Sequence, residues 1–337
     1  MRVLYHLPIL PPKMPSGEAL SQEIQVLQRH NDGELVYVNP NQDSPVYVPR
    51  LLFGLSRLKT LRAREQDFAL HHFYNPDPFP YPYLLYLQRP VVYTVSSGIS
   101  AKRIPAPYLN RLGAVTVYDD RSLQRLIQAG VRNAHLIHPG IDTARFTCTP
   151  LPLEDEVRLL VASAPWSRAQ FCTKGIDALL AAAQQDSRLR LTFLWRGILA
   201  EEMQKRIHRD GLESRITLIN AFVDVNQILA SVHATITLAA DPALIKAYPH
   251  SLLDSLAAGK PVLVNRAIPM ADYVERTECG IVMEKVTATE VLTAVTKLMS
   301  QYNALQQSAR QVGQWDFTLD KIITSFQQVY QSAIHKQ

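Results

Sequence analysis

The chain has 337 residues, enough for two domains with a core each, and its 47% hydrophobic and 19% charged content excludes a disordered or fibrous chain. The formal charge of +5 and pI near 9.0 suit an anionic ligand or a membrane surface, whereas basic residues this dispersed, with no aromatic–basic module, argue against nucleic acid. Cys148, Cys172 and Cys279 lie far apart with no metal-ligand spacing, so the expectation is a reducing compartment, no disulfide framework and no metal. The opening MRVLYHLPILPP is too short in its apolar run and too rich in proline for a signal peptide, and no apolar run is long enough to span a bilayer. The expected location is cytoplasmic.

In chain order, Met1 to Leu7 reads as a strand. A proline-rich loop and Gly17 lead into a helix from Ala19 to Arg29, with Leu20, Ile24 and Leu27 on one face. A strand, a glycine loop and a helix open many ligand-binding α/β domains, although a lone glycine also reads simply as a tight turn. Leu35 to Asn39 is a second strand. The stretch RLLFGLSRLKTLRAR, residues 50–64, predicts one amphipathic helix with Leu51, Leu52, Leu55, Leu58 and Leu61 on its apolar side. Its basic residues read either as a solvated face or as a surface for anionic headgroups or a charged acceptor. Asp67 to Phe73 is a third strand, placing His71 and His72 near its end. NPDPFPYPY, residues 75–83, is a loop by its prolines, with aromatics suited to a sugar ring or an apolar acceptor. Val91 to Val95 is a fourth strand, and Ser96 and Ser97 follow at its carboxyl end, where ligands sit in open α/β sheets. Strands at 114–118 and 134–138 flank a helix at 122–128, and residues 147–156 read as a linker.

The alternation then restarts. Arg158 to Ala162 is a strand, residues 163–173 a loop carrying Arg168, and Lys174-Gly175 begins a helix from Ile176 to Gln185. Strands at 191–195, 216–220 and 234–238 alternate with helices at 201–210 and 225–231. Phe222 and Val223 lie in the turn after the second of these strands. DPALIKAYPHSLLDSLAAGKPVLV, residues 241–264, reads as a loop, a helix starting near Tyr248-Pro249-His250-Ser251, a Gly259 stop and an apolar strand. A helix start after a strand and loop offers free amide groups and partial positive charge to a phosphate, although most such starts bind nothing. A strand at 279–283, a helix at 289–300 and a last helix after Trp315-Asp316-Phe317 complete the chain. There is no short-period repeat and no low-complexity segment.

The string from Lys246 through Asp254 to Gly259-Lys260-Pro261-Val262 resembles the donor-binding signature of family 4 glycosyltransferases (glycosyl transferases group 1): a Glu, seven residues, a second Glu, small residues and Gly-x-Pro-Val. The departures are Lys246 for the first acid and Asp254 for the second. His138-Pro-Gly-Ile-Asp142, followed by Phe146, is similar to the segment that ends the family's N-terminal domain, and Arg168 with Lys174-Gly175 is similar to its diphosphate-binding bases.

The resemblance implies a GT-B fold, two Rossmann-like doubly wound domains facing a cleft. The expected divisions are an acceptor-side domain over 1–150, a nucleotide-sugar domain over 151–314, and a terminal helix over 315–337 crossing back to the first. It implies a hexosyltransferase that moves a sugar from a UDP- or GDP-sugar to a glycan, lipid-linked or other small acceptor, with retention and without metal, in polysaccharide, glycolipid or glycoconjugate synthesis. Peripheral contact with the cytoplasmic membrane face is compatible with this. Arg168 and Lys174 would hold the diphosphate, with the backbone at His250, Ser251 and Leu252. Asp254 would take the ribose and the turn at Phe222 and Val223 the base. Lys246 would stand near the reacting centre, with Gly17, Ser96 and Ser97 on the acceptor side. Ser96-Ser97 occupy the place of a frequent family His, for which His71 or His72 is the candidate substitute, either reading equally as an ordinary strand-end histidine. A Lys accepts no hydrogen bond from a sugar hydroxyl. The alternative is therefore a catalytically inactive member that serves as a binding or partner subunit.

Overall fold

The computed structural model describes residues 1–11, 19–99, 103–195 and 197–335. Gly17 lies outside these. The chain divides into two units, residues 1–140 with 319–337, and residues 141–318.

In the first unit, Val3–Leu7 (β1), Glu34–Tyr37 (β2), Leu70–Asn75 (β3), Val91–Val95 (β4), Ala114–Val117 (β5) and Ala134–Leu136 (β6) form a sheet in the order β2-β1-β3-β4-β5-β6. All neighbouring strands pair in parallel. The cause is visible in the sequence: β1, β3, β4 and β5 are buried at every position, as short strands covered on both faces must be. The connecting helices are Ala19–His30 (α1), Leu58–Arg64 (α2), Ala106–Leu109 (α3) and Asp120–Gln128 (α4). The carboxylate of Asp119 caps α4 by accepting from the Ser122 amide at 2.8 Å.

The single helix expected over 50–64 is broken. Short 3-10 turns occupy Arg50–Leu52 and Leu55–Arg57, and α2 begins only at Leu58. Gly54 between the turns has φ +79°, and a Cβ there would stand 2.6 Å from the Tyr83 ring. Packing of that buried tyrosine overrides the helical spacing. Leu51 and Leu52 consequently face solvent, while Phe53 and Leu61 enter the core. The third strand starts later than expected, so His71 and His72 lie inside β3 opposite Leu4 and Tyr5 of β1.

In the second unit, Val157–Val161 (β7), Leu189–Leu194 (β8), Ile216–Ile219 (β9), Ala234–Thr237 (β10), Val262–Asn265 (β11) and Gly280–Met283 (β12) form a parallel sheet ordered β12-β11-β10-β7-β8-β9. Its helices are Ala169–Thr173 (α5), Ile176–Gln185 (α6), Ala200–Arg209 (α7), Val225–Ala230 (α8), His250–Ala257 (α9), Met270–Thr277 (α10) and Ala288–Trp315 (α11). The expected loop 163–173 thus contains α5, and the helix expected over 289–300 runs to Trp315. Val291, Ala294, Val295, Leu298, Tyr302, Leu305, Ala309 and Gly313 are all buried at three- and four-residue spacing, which sustains α11 well past Ser300. Thr287 caps its start on the Glu290 amide.

Leu319–His335 (α12) returns to the first unit. There Phe326 and Tyr330 pack against the His72 ring, at 4.9 and 5.5 Å between centroids.

Candidate functional site

Strand order in the second unit reverses between β7 and β10. In an open parallel sheet the crevice at the carboxyl ends of such a pair is where ligands bind. Two segments leave the sheet there: residues 162–175 after β7, and residues 238–250 after β10.

The first carries Lys174-Gly175. Gly175 has φ +71°, and a Cβ would meet Leu238 side-chain atoms at 2.6 and 2.7 Å. Only glycine allows α6 to start this close to the exit of β10. The Ala240 amide donates to the Thr173 carbonyl at 2.7 Å, joining the two segments directly. The Lys174 ammonium is turned inward and donates to the Ala164 carbonyl at 3.0 Å. The residue is mostly buried, and that burial lowers the ammonium below its ordinary pKa. It is a cation held at the crevice and only partly hydrated, the condition in which a charge acts strongly on an anion.

Asn265, at the carboxyl end of β11, holds the second segment. Its side chain accepts from the Ala239 amide and donates to the Ala239 carbonyl, both at 2.8 Å. Sequence reading missed this residue because an Asn ending a strand looks like any turn signal. Tyr248, Tyr273 and Phe317 form an aromatic cluster beneath the same segment, with centroids 5.0 to 6.0 Å apart.

The segment ends at α9. Pro249 is the N-cap and no side chain caps the helix, so Ser251 does not act as a cap. The amides of Leu252 and Leu253 turn back to the Pro249 carbonyl at 3.0 and 3.2 Å. Those of His250 and Ser251 therefore carry the exposed positive end of the helix. Asp254 stands one turn on, on the His250 face by i, i+4 spacing, and is half-buried. Lys246 is half-buried in the loop before the helix. Burial, reinforced by the positive charge of Lys246, pushes the His250 imidazole well below its usual range. His250 is neutral at pH 7.

The other expected donor residues are more scattered. Arg168 sits at the start of α5 with its side chain 80% exposed, and it faces Glu202 of α7 at 3.8 Å rather than joining Lys174. Phe222 and Val223 are exposed in the loop after β9, two strands from the switch point. In the first unit, Ser96 is buried and Ser97 half-buried, and their amides extend the ladder to the carbonyls of Asn75 and Pro76.

His72 lies in the core of the first unit rather than at a strand end. It is fully buried, with Nδ1 2.6 Å from the Tyr330 hydroxyl and Nε2 2.6 Å from the Thr94 hydroxyl. His71 is equally buried and engaged by Glu65 at 3.0 Å and His6 at 2.9 Å. Because β3 runs to Asn75, past the expected end at Phe73, both histidines lie inside the strand. No group of three or more metal-ligating side chains occurs among the described residues.

Two doubly wound parallel sheets in one chain make a GT-B fold, and known structures agree. HepE from Anabaena in complex with UDP superimposes with a TM-score of 0.74 at 16% identity, over 98% of this chain and 100% of that one. A glycosyltransferase from Rickettsia africae gives 0.75 at 14% identity, over 99% of each. Sucrose-phosphate synthase from Thermosynechococcus elongatus gives 0.72 at 13% identity, over the full length of both. Residues 168–314 match the family model for glycosyl transferases group 1. No curated protein matches the chain in sequence.

Proposed function

We propose that this protein is a glycosyltransferase that uses a nucleotide-diphosphate sugar, with UDP as the leading nucleotide. One observation carries the reading. The Lys174-Gly175 turn is locked against the exit of β10, within the span matched by the glycosyltransferase family model, and the uncapped start of α9 follows on the same segment. A cation and helix amides at one switch point suit a diphosphate leaving group, whose developing charge they would stabilise. The UDP and UDP-glucose complexes of HepE support the choice of nucleotide.

In this reading Lys174 and the amides of His250 and Ser251 bind the diphosphate, while the expected Leu252 amide is already engaged by the Pro249 carbonyl. Asp254 accepts from the ribose, and Phe222 and Val223 take the base. Arg168 swings from Glu202 to join Lys174 when the anion arrives. The group transferred is a hexosyl unit, with retention and without metal, to a glycan, lipid-linked or other small acceptor met by Ser96 and Ser97. Synthesis of a surface polysaccharide, glycolipid or other glycoconjugate is the matching role.

The test is titration of UDP, GDP and ADP, followed by nucleotide release from the sugar conjugate of whichever binds. UDP is expected to bind. Lys174→Met should weaken it by about 10- to 100-fold, the worth of a charge-assisted hydrogen bond of about 1.5–3 kcal/mol. No binding of any nucleotide at millimolar concentration would defeat the proposal.

Lys246 and the serines at 96–97 favour a second reading, a catalytically inactive partner subunit that keeps the fold. The two readings separate on turnover. UDP binding with no release from UDP-glucose, restored in Lys246→Glu, would establish the inactive form.

A surface observation bears on location. Val46, Tyr47, Leu51 and Leu52 are exposed apolar side chains within seven residues, and Arg57, Lys59 and Arg62 are exposed just beyond. Apolar groups beside cations suit a bilayer surface with anionic lipid, each cation adding about 1 kcal/mol. The protein is expected to sediment with phosphatidylglycerol vesicles at low salt and not with phosphatidylcholine vesicles. Leu51→Asp with Leu52→Asp should abolish this, and equal sedimentation of that variant would remove the membrane reading.

A further inference from the structure

The proline-rich loop 76–82 does more than leave β3. With residues 103–108 it lines an open cavity of about 470 Å³ formed by Pro78, Phe79, Pro80, Ile104, Pro105 and Tyr108, with Asp77 and Arg103 among the lining groups. That is the size of a small-molecule site. Its walls are apolar and stiff, since four of the lining residues are prolines with fixed φ.

The walls are also pinned from behind. The Tyr93 hydroxyl on β4 donates to the carbonyls of Asp77 and Phe79, at 3.0 and 2.8 Å. The Tyr108 hydroxyl donates to the Tyr81 carbonyl at 2.8 Å. Arg50 grips the Asp77 carboxylate at 2.6 and 3.1 Å, donates to the Tyr81 hydroxyl at 2.6 Å, and lies 4.4 Å from the centre of the Phe79 ring. An apolar hollow braced this way is kept open rather than left by loose packing, because nearby side chains are spent holding the loop instead of filling it.

The charges identify the occupant. Asp77, the acid among the described lining residues, is neutralised by Arg50. Arg103 is exposed and has no ion pair among the described residues. Among the described residues, the cavity therefore presents apolar walls with the Arg103 guanidinium available at its edge. It lies past the carboxyl ends of β3 and β4, the end of a parallel sheet where ligands bind. The exposed Leu51 and Leu52 directly follow in sequence Arg50, whose side chain holds Asp77 of the cavity wall.

We infer that this cavity binds the apolar chain of an anionic amphiphile, with Arg103 pairing to its head group, and that this amphiphile is the acceptor. The second clause rests on the glycosyltransferase reading; the first stands without it. Phe79, Ile104 and Pro107 then select for chain, and Arg103 for head-group charge.

The test is calorimetric titration of the full-length protein with three probes below their micelle concentrations: decyl phosphate, butyl phosphate with the same head, and decyl glucoside with the same chain and no charge. Decyl phosphate should saturate one site, with the other two each weaker by about tenfold or more. Arg103→Glu should remove the preference for decyl phosphate over decyl glucoside. Pro107→Glu, a change at an exposed lining neighbour, should weaken both, and Ile104→Gln provides a second variant should the first fail to fold. UDP affinity should be unchanged in all three. Non-saturating binding of decyl phosphate, or wild-type binding by both lining variants, would overturn the site. Loss of UDP binding by the wild-type protein with the decyl phosphate site intact would overturn only the transferase reading; UDP binding without a decyl phosphate site would overturn only this one.

Discussion

Gly313→Ala is expected to destabilise the second unit by about 2–3 kcal/mol, although alanine is the better helix former. Gly313 lies near the end of α11, and a Cβ there would stand 1.8 Å from the Leu256 carbonyl oxygen and 2.7 Å from the Ala257 nitrogen on α9. Both contacts are with backbone, so no side chain can turn aside. The intrinsic preference for alanine is worth about 1 kcal/mol in a helix interior. Separating two packed helices by more than an ångström forfeits dispersion contacts along their whole interface and costs more. The melting temperature should fall by about 4–10 °C for a domain of this size. Gln311→Ala, an exposed position on the same helix, should shift it by little. A Gly313→Ala protein as stable as wild type would mean that α11 and α9 do not meet this closely. On the proposed reading, in which α9 carries the diphosphate- and ribose-binding groups, nucleotide binding should weaken with stability.

Acidification is expected to destabilise the first unit. His6 and His72 are fully buried there, and burial holds both imidazoles well below their ordinary pKa. The neighbouring His71 and His72 push His6 further in the same direction. In the unfolded chain both groups titrate near pH 6.5. Below that pH the unfolded state binds protons the native state refuses, so stability falls as pH falls, by up to about 1.4 kcal/mol per pH unit for each histidine. Two such groups give a loss of about 2–3 kcal/mol between pH 6 and pH 5, a sizeable part of the 5–15 kcal/mol typical of a domain. Glu65, whose pKa is lowered by its bonds to His71 and the amides of Arg89 and Gln88 against the opposing effect of burial, adds a loss of the same sign at lower pH. Hydrogen exchange followed from pH 7.5 to 5 should show protection in β1 and β3 falling as the pH falls. His72→Gln, which removes one of the titrating groups, should roughly halve the slope. A first unit equally protected at pH 7.5 and pH 5 would contradict the buried placement of these rings.

These two predictions rest on packing that linear pattern does not express. A glycine four residues past Ala309 on the buried face of α11 says nothing of what crosses it. Histidines in an apolar strand read as readily as strand-end ligands as core groups. What decided His72 was α12, which comes more than two hundred residues later and puts Tyr330 against its ring.

What the sequence determined by itself is the architecture. Runs such as Val91–Val95 and Val262–Val264 are apolar on both faces, which only a covered parallel sheet accommodates, and helical periodicity between them sets the doubly wound alternation. Lys174-Gly175 and the start of α9 were also legible, because a glycine before a helix and a proline at its first turn have local backbone reasons. Tertiary structure alone decided the rest. It split residues 50–64 at Gly54 to seat Tyr83, and it drew the Lys174 ammonium toward the Ala164 carbonyl while leaving Arg168 beside Glu202. It made Asn265 the anchor of the loop after β10 and turned four prolines into the wall of a cavity. Backbone preference acts over a few residues and leaves its mark in the sequence. Side-chain direction, and the partner each polar group finds, depend on atoms that the fold brings together from distant positions.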